Sequence, residues 1–363
     1  ISRSGAPLVL IDIIRQWKNK NKMPDNIIFN YPQGSRAEPD LLSHLWHEGI
    51  KFHATNVLST HFNKGDVVIL NSTAQPPQLY EKVLSALESN IIQHLYFYIH
   101  EDDEKTTGSV VKYSKRISDL IEKDKITVYT PSTKSNTNWM RYFKSQKNIF
   151  SMPGHITSHS GMFKKKNESD FDDINFIIAG SREPRKGIIS VLNALMAVDR
   201  YHIQQNPKGY RKFTITIAGD DHNNDFYNRF IKNQSHYFDD RVKLLPSVSQ
   251  DELYNIINEA NLTVTFSIAD SLSMVTFEGM SFGHPIIRSE ASGQDEQLSI
   301  GSNGWLARTT NWLDLVDSIE DVLNKNKTPN SKLAKMSEES IKIAKKNHSS
   351  TYRILNDIER YTK

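Results

Sequence analysis

Two short segments of this chain carry residues suited to holding an anion. The first is Gly180-Ser181-Arg182-Glu183-Pro184-Arg185-Lys186-Gly187, set between an apolar run and an amphipathic one. A helix N-terminus presents unpaired amides and a partial positive charge, so it attracts phosphate. Arg182, Arg185 and Lys186 add full charges at that spot. A guanidinium grips phosphate through two parallel bonds, and an ammonium acts as a point charge. The segment is not a P-loop, because G-x-x-x-x-G-K-[ST] is not satisfied. A solvated basic turn is the plainer alternative. The second segment runs from Ser267 to Ile286 and places Asp270 and Glu278 eight residues apart. With a helix starting near Ser273, Glu278 lies about one and a half turns inside it. Its neighbours Met274, Val275 and Phe277 are apolar. A carboxylate buried there is costly without a partner. A vicinal diol suits it, since one carboxylate accepts two hydroxyl protons. The amides of Leu272, Ser273 and Met274 stand at the helix start, where they suit a diphosphate. A Glu paired locally is the plainer alternative.

Both segments need strands and helices to aim them. Ile174 to Gly180 reads as a strand ending in a turn, and Ile188 to Arg200 as the helix that follows. Further strands are expected at Phe213 to Gly219, Val242 to Leu245, Leu262 to Phe266 and Pro285 to Ile287. A helix starts at Gln250, and others span Val275 to Phe282, Trp312 to Asn324, Lys332 to Lys346 and Ser350 to Tyr361. The first half alternates likewise. Leu8 to Trp17, Leu41 to Gly49 and Gln78 to Ser89 read as helices. Asn26 to Asn30, Asp66 to Asn71, Leu95 to His100 and Ile126 to Thr130 read as strands. The polar stretch 151–170 separates the halves. Strands alternating with helices imply α/β domains with doubly wound parallel sheets, whose ligands sit at the carboxyl ends of strands.

The bulk numbers agree with two domains in 363 residues. Apolar residues are 37% and charged residues 24%, enough for two cores and too apolar for a disordered chain. Net charge is +3, too balanced to argue for nucleic acid. With no cysteine, disulfides, thiolate metal sites and a cysteine nucleophile are excluded. No apolar run approaches the roughly 20 residues of a membrane span. Among 13 histidines only His155 and His159 have i, i+4 spacing, in a Ser- and Gly-containing loop with no Glu beside the first; zinc is disfavoured. Glu101-Asp102-Asp103-Glu104 suits a hard cation but follows a buried strand in the other half, and Asp220-Asp221 reads as an ordinary turn.

The segment 267–287 resembles the donor-site signature of the retaining GT-B glycosyltransferases called family 4. Their pattern is an acidic residue, seven residues, Glu, a small residue, Met, two residues, Gly, one residue, Pro. Asp270, Glu278, Met280, Gly283 and Pro285 fall on it. Gly180 to Gly187 looks like that family's phosphate loop. Val242 to Pro246, Asp251-Glu252-Leu253 and Ser292-Gly293-Gln294-Asp295-Glu296 keep the family's order. Ser4-Gly5-Ala6-Pro7 resembles its first glycine turn, and Ile99-His100-Glu101 its sugar-facing strand end. Two positions depart: Asp270 stands where Glu is usual, and Ser181 where many members have Arg.

The resemblance implies a GT-B fold, two Rossmann-like doubly wound domains facing each other across a cleft. Residues 1–160 would form the acceptor-side domain, with its first strand lying before residue 1. Residues 171–347 would form the donor domain, and 348–363 a helix crossing back. It implies a nucleotide-sugar donor, transfer with retention, no metal and no other cofactor. By the same resemblance Glu278 would bind the ribose hydroxyls, while Arg185 and Lys186 neutralise the diphosphate. Gly5, Gly180, Arg182, Leu272, Ser273 and Met274 would complete the donor site. Asp270 would touch the transferred sugar, and His100 would line the reaction centre. The acceptor would be a saccharide, a lipid-linked molecule or a protein, in bacterial polysaccharide, glycolipid or glycoprotein assembly. The expected location is cytoplasmic. Lys112, Lys115, Arg116 and Lys164 to Lys166 suit peripheral contact with an anionic inner membrane face, or simply a solvated basic surface. Two other readings stay open: a catalytically weak partner of another transferase, motivated by Asp270, and another GT-B enzyme such as a sugar-nucleotide epimerase or a phosphorylase.

Overall fold

A computed structural model describes residues 5–20, 27–31, 43, 45–56, 61–101, 108–152, 159–219, 225–268, 270, 273–291, 295–309, 311–350 and 352–359. The chain forms two compact units, Ile1–His155 with Ser349–Lys363, and Ile156–His348. The first contains α1 (Gly5–Asn19), β1 (Ile28–Tyr31), β2 (His53–Asn56), β3 (Asp66–Leu70), α2 (Pro77–Glu88), β4 (Ile92–Tyr98), α3 (Gly108–Glu122), β5 (Ile126–Thr130), α4 (Thr133–Phe143) and β6 (Ile149–Ser151). Strands β3-β4-β5-β6 lie side by side in that order, all parallel, and β1 and β2 form a separate parallel pair. Strand β5 is buried along its whole length, as a strand covered on both faces must be.

The second unit contains β7 (Ile174–Ala179), α5 (Ile188–Val198), β8 (Phe213–Ala218), α6 (Asp225–Ser235), β9 (Val242–Leu245), α7 (Gln250–Glu259), β10 (Leu262–Thr265), α8 (Met274–Ser281), β11 (Ile286–Ser289), β12 (Gly304–Ala307), α9 (Leu313–Leu323) and α10 (Asn330–Ser350). A last helix, α11 (Tyr352–Ile358), belongs to the first unit. The second sheet runs β12-β11-β10-β7-β8-β9, every pair parallel. Numbered within the unit, that is the 3-2-1-4-5-6 order of a Rossmann fold read from the other edge, with its switch point between β7 and β10. Helix α5 buries Ile188, Val191, Leu192, Ala194, Leu195 and Val198 against the sheet. Its near-continuous apolar sequence fits a helix with little exposed face.

The α/β class read from the alternation is the one observed. Helices α3, α4 and α6 and strands β2, β6 and β12 lie outside the sequence expectation. Helix α4, TKSNTNWMRYF, is polar and buries only Ser135, Trp139 and Phe143, so its apolar period is faint. Strand β6 has three residues, too few for any period.

Three buried histidines among the described residues make the fold acid-sensitive. Burial pushes His94 and His100 down to about 4 and His284 down to about 3. Unfolded histidine titrates near 6.5, so below that pH the unfolded chain binds protons the folded chain refuses. Their contribution is complete above about pH 6.5 and is lost as pH falls toward 4 and then 3. The melting temperature is therefore expected to drop steadily from pH 7 to pH 4.5. A flat profile over that range would contradict burial of these rings in the neutral form.

Candidate active site

Two crossover turns leave the carboxyl ends of β7 and β10, the strands flanking the switch point. Strand β7 stops at Ala179, and Gly180 turns the chain at φ +126° while its amide donates to Ala218 O at 2.9 Å. A short 3₁₀ turn, Pro184–Lys186, leads into Gly187 at φ +66°. A Cβ on Gly187 would stand 2.1 Å from Phe266 O, so this position needs glycine for both its conformation and its space. That close approach presses the first turn against the end of β10.

Further bonds fasten the two turns together. Ile268 N donates to Arg185 O at 2.8 Å. Lys186 Nζ donates to Asp270 Oδ2 at 2.6 Å, and both side chains are largely screened from solvent. Ser267 Oγ stands 3.4 Å from the same oxygen, and Asp270 N donates to Ala291 O at 3.0 Å. Lys186 and Asp270, 84 residues apart, thus form the contact at the mouth of the switch point.

Helix α8 then carries Glu278 inward. Ser273 caps it, accepting from Thr276 N at 3.4 Å. Met274 is its first residue and is half-buried. Glu278 is 5% exposed and accepts from Gln250 Nε2 at 3.1 Å. One partner of this buried carboxylate is thus a neutral amide on the first turn of α7.

The other basic residues of the first turn differ in setting. Arg182 is buried, and its guanidinium donates to Leu245 O at the end of β9. It faces the protein interior rather than solvent. Arg185 is exposed and pairs with Glu183 at 2.6 Å. Of the remaining expected site residues, Gly5 is the first residue of α1, and Leu272 lies outside the described residues. So do His155, Asp102 to Glu104, Asp220-Asp221 and Ser292 to Gln294. His159 packs its ring against Tyr254 and Phe282. Among the described residues no group of three or more His, Cys, Asp or Glu is placed to hold a metal ion. No described helix is long and apolar enough to cross a membrane.

In the first unit His100 follows β4. Its Nε2 donates to Asn71 Oδ1 at 2.9 Å, and its ring lies 4.1 Å from that of Tyr98. The low pKa keeps the ring neutral at pH 7, with the proton on Nε2 because Asn71 Oδ1 can only accept. Glu101 is fixed from both ends. Its carboxylate accepts from Ser72 Oγ and from Thr73 N at 3.0 Å, and its carbonyl from Trp139 Nε1 at 2.9 Å. Sequence reasoning missed Gln250, Asn71 and the Ser72-Thr73 turn. Only the last has a local signal, a hydroxyl pair directly after a strand.

Comparison with known proteins bears on this geometry. An uncharacterized glycosyltransferase of Methanocaldococcus jannaschii is 27% identical over 188 residues, 51% of this chain and 48% of that protein. A D-inositol 3-phosphate glycosyltransferase of Mycolicibacterium smegmatis is 29% identical over 86 residues, 24% of this chain and 20% of that protein. The matches span about half and a fifth of these relatives. In fold, the chain is similar to HepE of Anabaena solved with UDP, at TM-score 0.72 and 16% identity, covering 99% of this chain and 97% of that one. A glycosyltransferase of Rickettsia africae gives TM-score 0.72 and 14% identity, covering 99% and 95%. The fold is GT-B, built from two Rossmann-like domains. The profile of the glycosyl transferases group 1 matches residues 161–343, just over half of the chain and the whole of the switch-point geometry. The chain belongs to that family.

Proposed function

We propose that this chain is a glycosyltransferase that moves a sugar from a nucleoside-diphosphate sugar to a hydroxyl acceptor, with retention, as a family 4 enzyme. The observation that carries the reading is the meeting of Lys186 and Asp270 at the switch point, with buried Glu278 one helix away. A lysine at the mouth suits a diphosphate. A buried carboxylate held by a neutral amide suits a ribose diol. HepE has been solved with UDP and with UDP-glucose, which supports a uridine donor for this chain.

The chemistry follows from charge. The bond from the anomeric carbon to the diphosphate oxygen breaks, and a bond to the acceptor oxygen forms on the face vacated. The departing diphosphate gains negative charge. Lys186, with the amides at the start of α5 and α8, would stabilise that charge more as the bond lengthens, which lowers the barrier. Arg185 would join once it exchanges Glu183 for phosphate. Arg182, committed to Leu245 O, would hold the turn's shape. The ligands are the sugar nucleotide and a saccharide, lipid-linked or protein acceptor, in bacterial polysaccharide, glycolipid or glycoprotein assembly, without metal. The expected setting is cytoplasmic, at the inner membrane face where the acceptor is lipid-linked.

The test is calorimetry with UDP, GDP, ADP and dTDP on the parent and on Glu278→Ala. One nucleotide is expected to bind, and the variant to lose about 30-fold or more in affinity, the worth of two charge-assisted hydrogen bonds. Equal binding by both proteins would remove Glu278 from the donor site. Turnover of a sugar nucleotide without acceptor would favour an epimerase instead.

A further inference from the structure

We infer that Gln250 is a positioning residue for the donor nucleotide, one that sets how strongly the site prefers a ribonucleotide to its 2′-deoxy analogue. The inference rests on the reading of Glu278 as the acceptor of the ribose hydroxyls. Glu278 is 5% exposed, on a helix turn shared with Phe277, Gly279 and Met280. Gln250 reaches it from α7, 28 residues earlier, with Nε2 at 3.1 Å from Oε1.

The chemical type of this partner matters. A carboxylate offers about four lone-pair sites, and one amide hydrogen occupies a single one of them. A lysine or arginine there would neutralise the carboxylate and compete with the sugar's hydroxyl protons. A neutral amide helps to fix the rotamer and adds no positive charge of its own. Two hydroxyl bonds need both carboxylate oxygens aimed within a narrow range, so losing a bond that holds that aim would weaken the paired geometry first.

Gln250 can do this because its own backbone is well anchored. Ser249 caps α7 by accepting from Glu252 N at 3.3 Å, which sets Gln250 as the first helical residue. Gly279, next to Glu278, packs so closely on β10 that a Cβ would stand 2.0 Å from Thr263 Oγ1. Both ends of the Gln250–Glu278 bond therefore sit on backbone with little room to shift.

The experiment compares ribo and 2′-deoxy forms of UDP and GDP by calorimetry on the parent, Gln250→Met, Gln250→Ala and Glu278→Gln. Methionine keeps the length of glutamine and loses the donor, so Gln250→Met is expected to fold as the parent does. Its affinity for the ribonucleotide should fall about tenfold, the worth of one hydrogen bond to a charged group. Its affinity for the 2′-deoxy form should fall less than about threefold, so that the preference shrinks. Gln250→Ala should behave alike. Equal losses for both nucleotide forms, or no loss, while Glu278→Gln still abolishes the preference, would overturn the positioning role and leave the donor site standing. If Glu278→Gln leaves the preference intact, or the parent binds neither pair, the donor reading itself falls and this inference with it.

Discussion

Asp270→Asn is expected to bind nucleoside diphosphate about three- to tenfold more tightly than the parent while transferring sugar about 100-fold more slowly. The two effects have one origin. The Asp270 carboxylate holds Lys186 Nζ at 2.6 Å, with the two side chains 12% and 21% exposed. In the proposed reaction a diphosphate entering the switch point would need that ammonium and would meet a like charge beside it. Asparagine removes the competitor and the repulsion together. The affinity change stays modest because much of the attraction within a screened pair repays the cost of desolvating it, which leaves about 1 kcal/mol net.

Transfer responds in the other direction. A carboxylate beside the reacting sugar favours positive charge at the anomeric carbon as the leaving group departs, and a neutral amide does so far less. Calorimetry with UDP and a coupled assay of donor consumption with acceptor read the two effects separately. If affinity and transfer fall together, Asp270 does not compete for Lys186 but holds it ready for phosphate, and competition between carboxylate and diphosphate is ruled out. If transfer is unchanged, Asp270 does not act on the sugar.

The sequence made the second unit far more legible than the first, and the reason is physical. Turns at a Rossmann switch point need glycine for positive φ and close approach, charge for phosphate, and a strand before and a helix after. Those demands fall on consecutive residues, so 180–187 carries them locally. Glu278 was readable because a carboxylate among Met274, Val275 and Phe277 is anomalous. Gln250 was not, because its partner lies 28 residues away and the amide is ordinary at a helix start. Arg182 looked like a phosphate ligand beside Arg185, and only the third dimension shows it turned onto Leu245 O. The polar helices α4 and α6 were unreadable for want of an apolar period. Helix α6 buries Tyr227, Asn228, Ile231 and Ser235 while Phe226 and Phe230 stay exposed, so its pattern runs against its burial.

Arg211 is the sharpest case of a residue whose role emerges only in the fold, and it leads to the largest expected loss of stability. Arg211 and Lys212 directly precede β8. In the structure Arg211 is 1% exposed. Its Nε donates to Phe171 O at 2.9 Å, Nη1 to Val322 O at 2.8 Å, and Nη2 to Thr328 O at 2.7 Å and Asn330 Oδ1 at 2.6 Å. Asn330 Nδ2 in turn donates to Asp172 Oδ1 at 2.7 Å, which links the buried cation to a carboxylate through one amide. Burial lowers the Arg211 pKa and Asp172 opposes that, but guanidinium stays charged in proteins. One side chain therefore ties the entry to β7, the end of α9 and the start of α10 to the entry of β8. Arg211→Met fills most of the space but strips three carbonyls of their donor, each at about 1–3 kcal/mol. Relief from burying a charge offsets part of this. The net loss should still be about 3 kcal/mol or more, against the roughly 5–15 kcal/mol that hold a domain folded. For a unit of this size that is a fall of about 10 °C in melting temperature. Arg211→Lys should recover little, because a single ammonium cannot span acceptors arranged around a planar fork. Denaturant unfolding of parent and variants measures the loss. A variant melting within about two or three degrees of the parent would mean that the carbonyls find water, and that Arg211 does not tie these elements together.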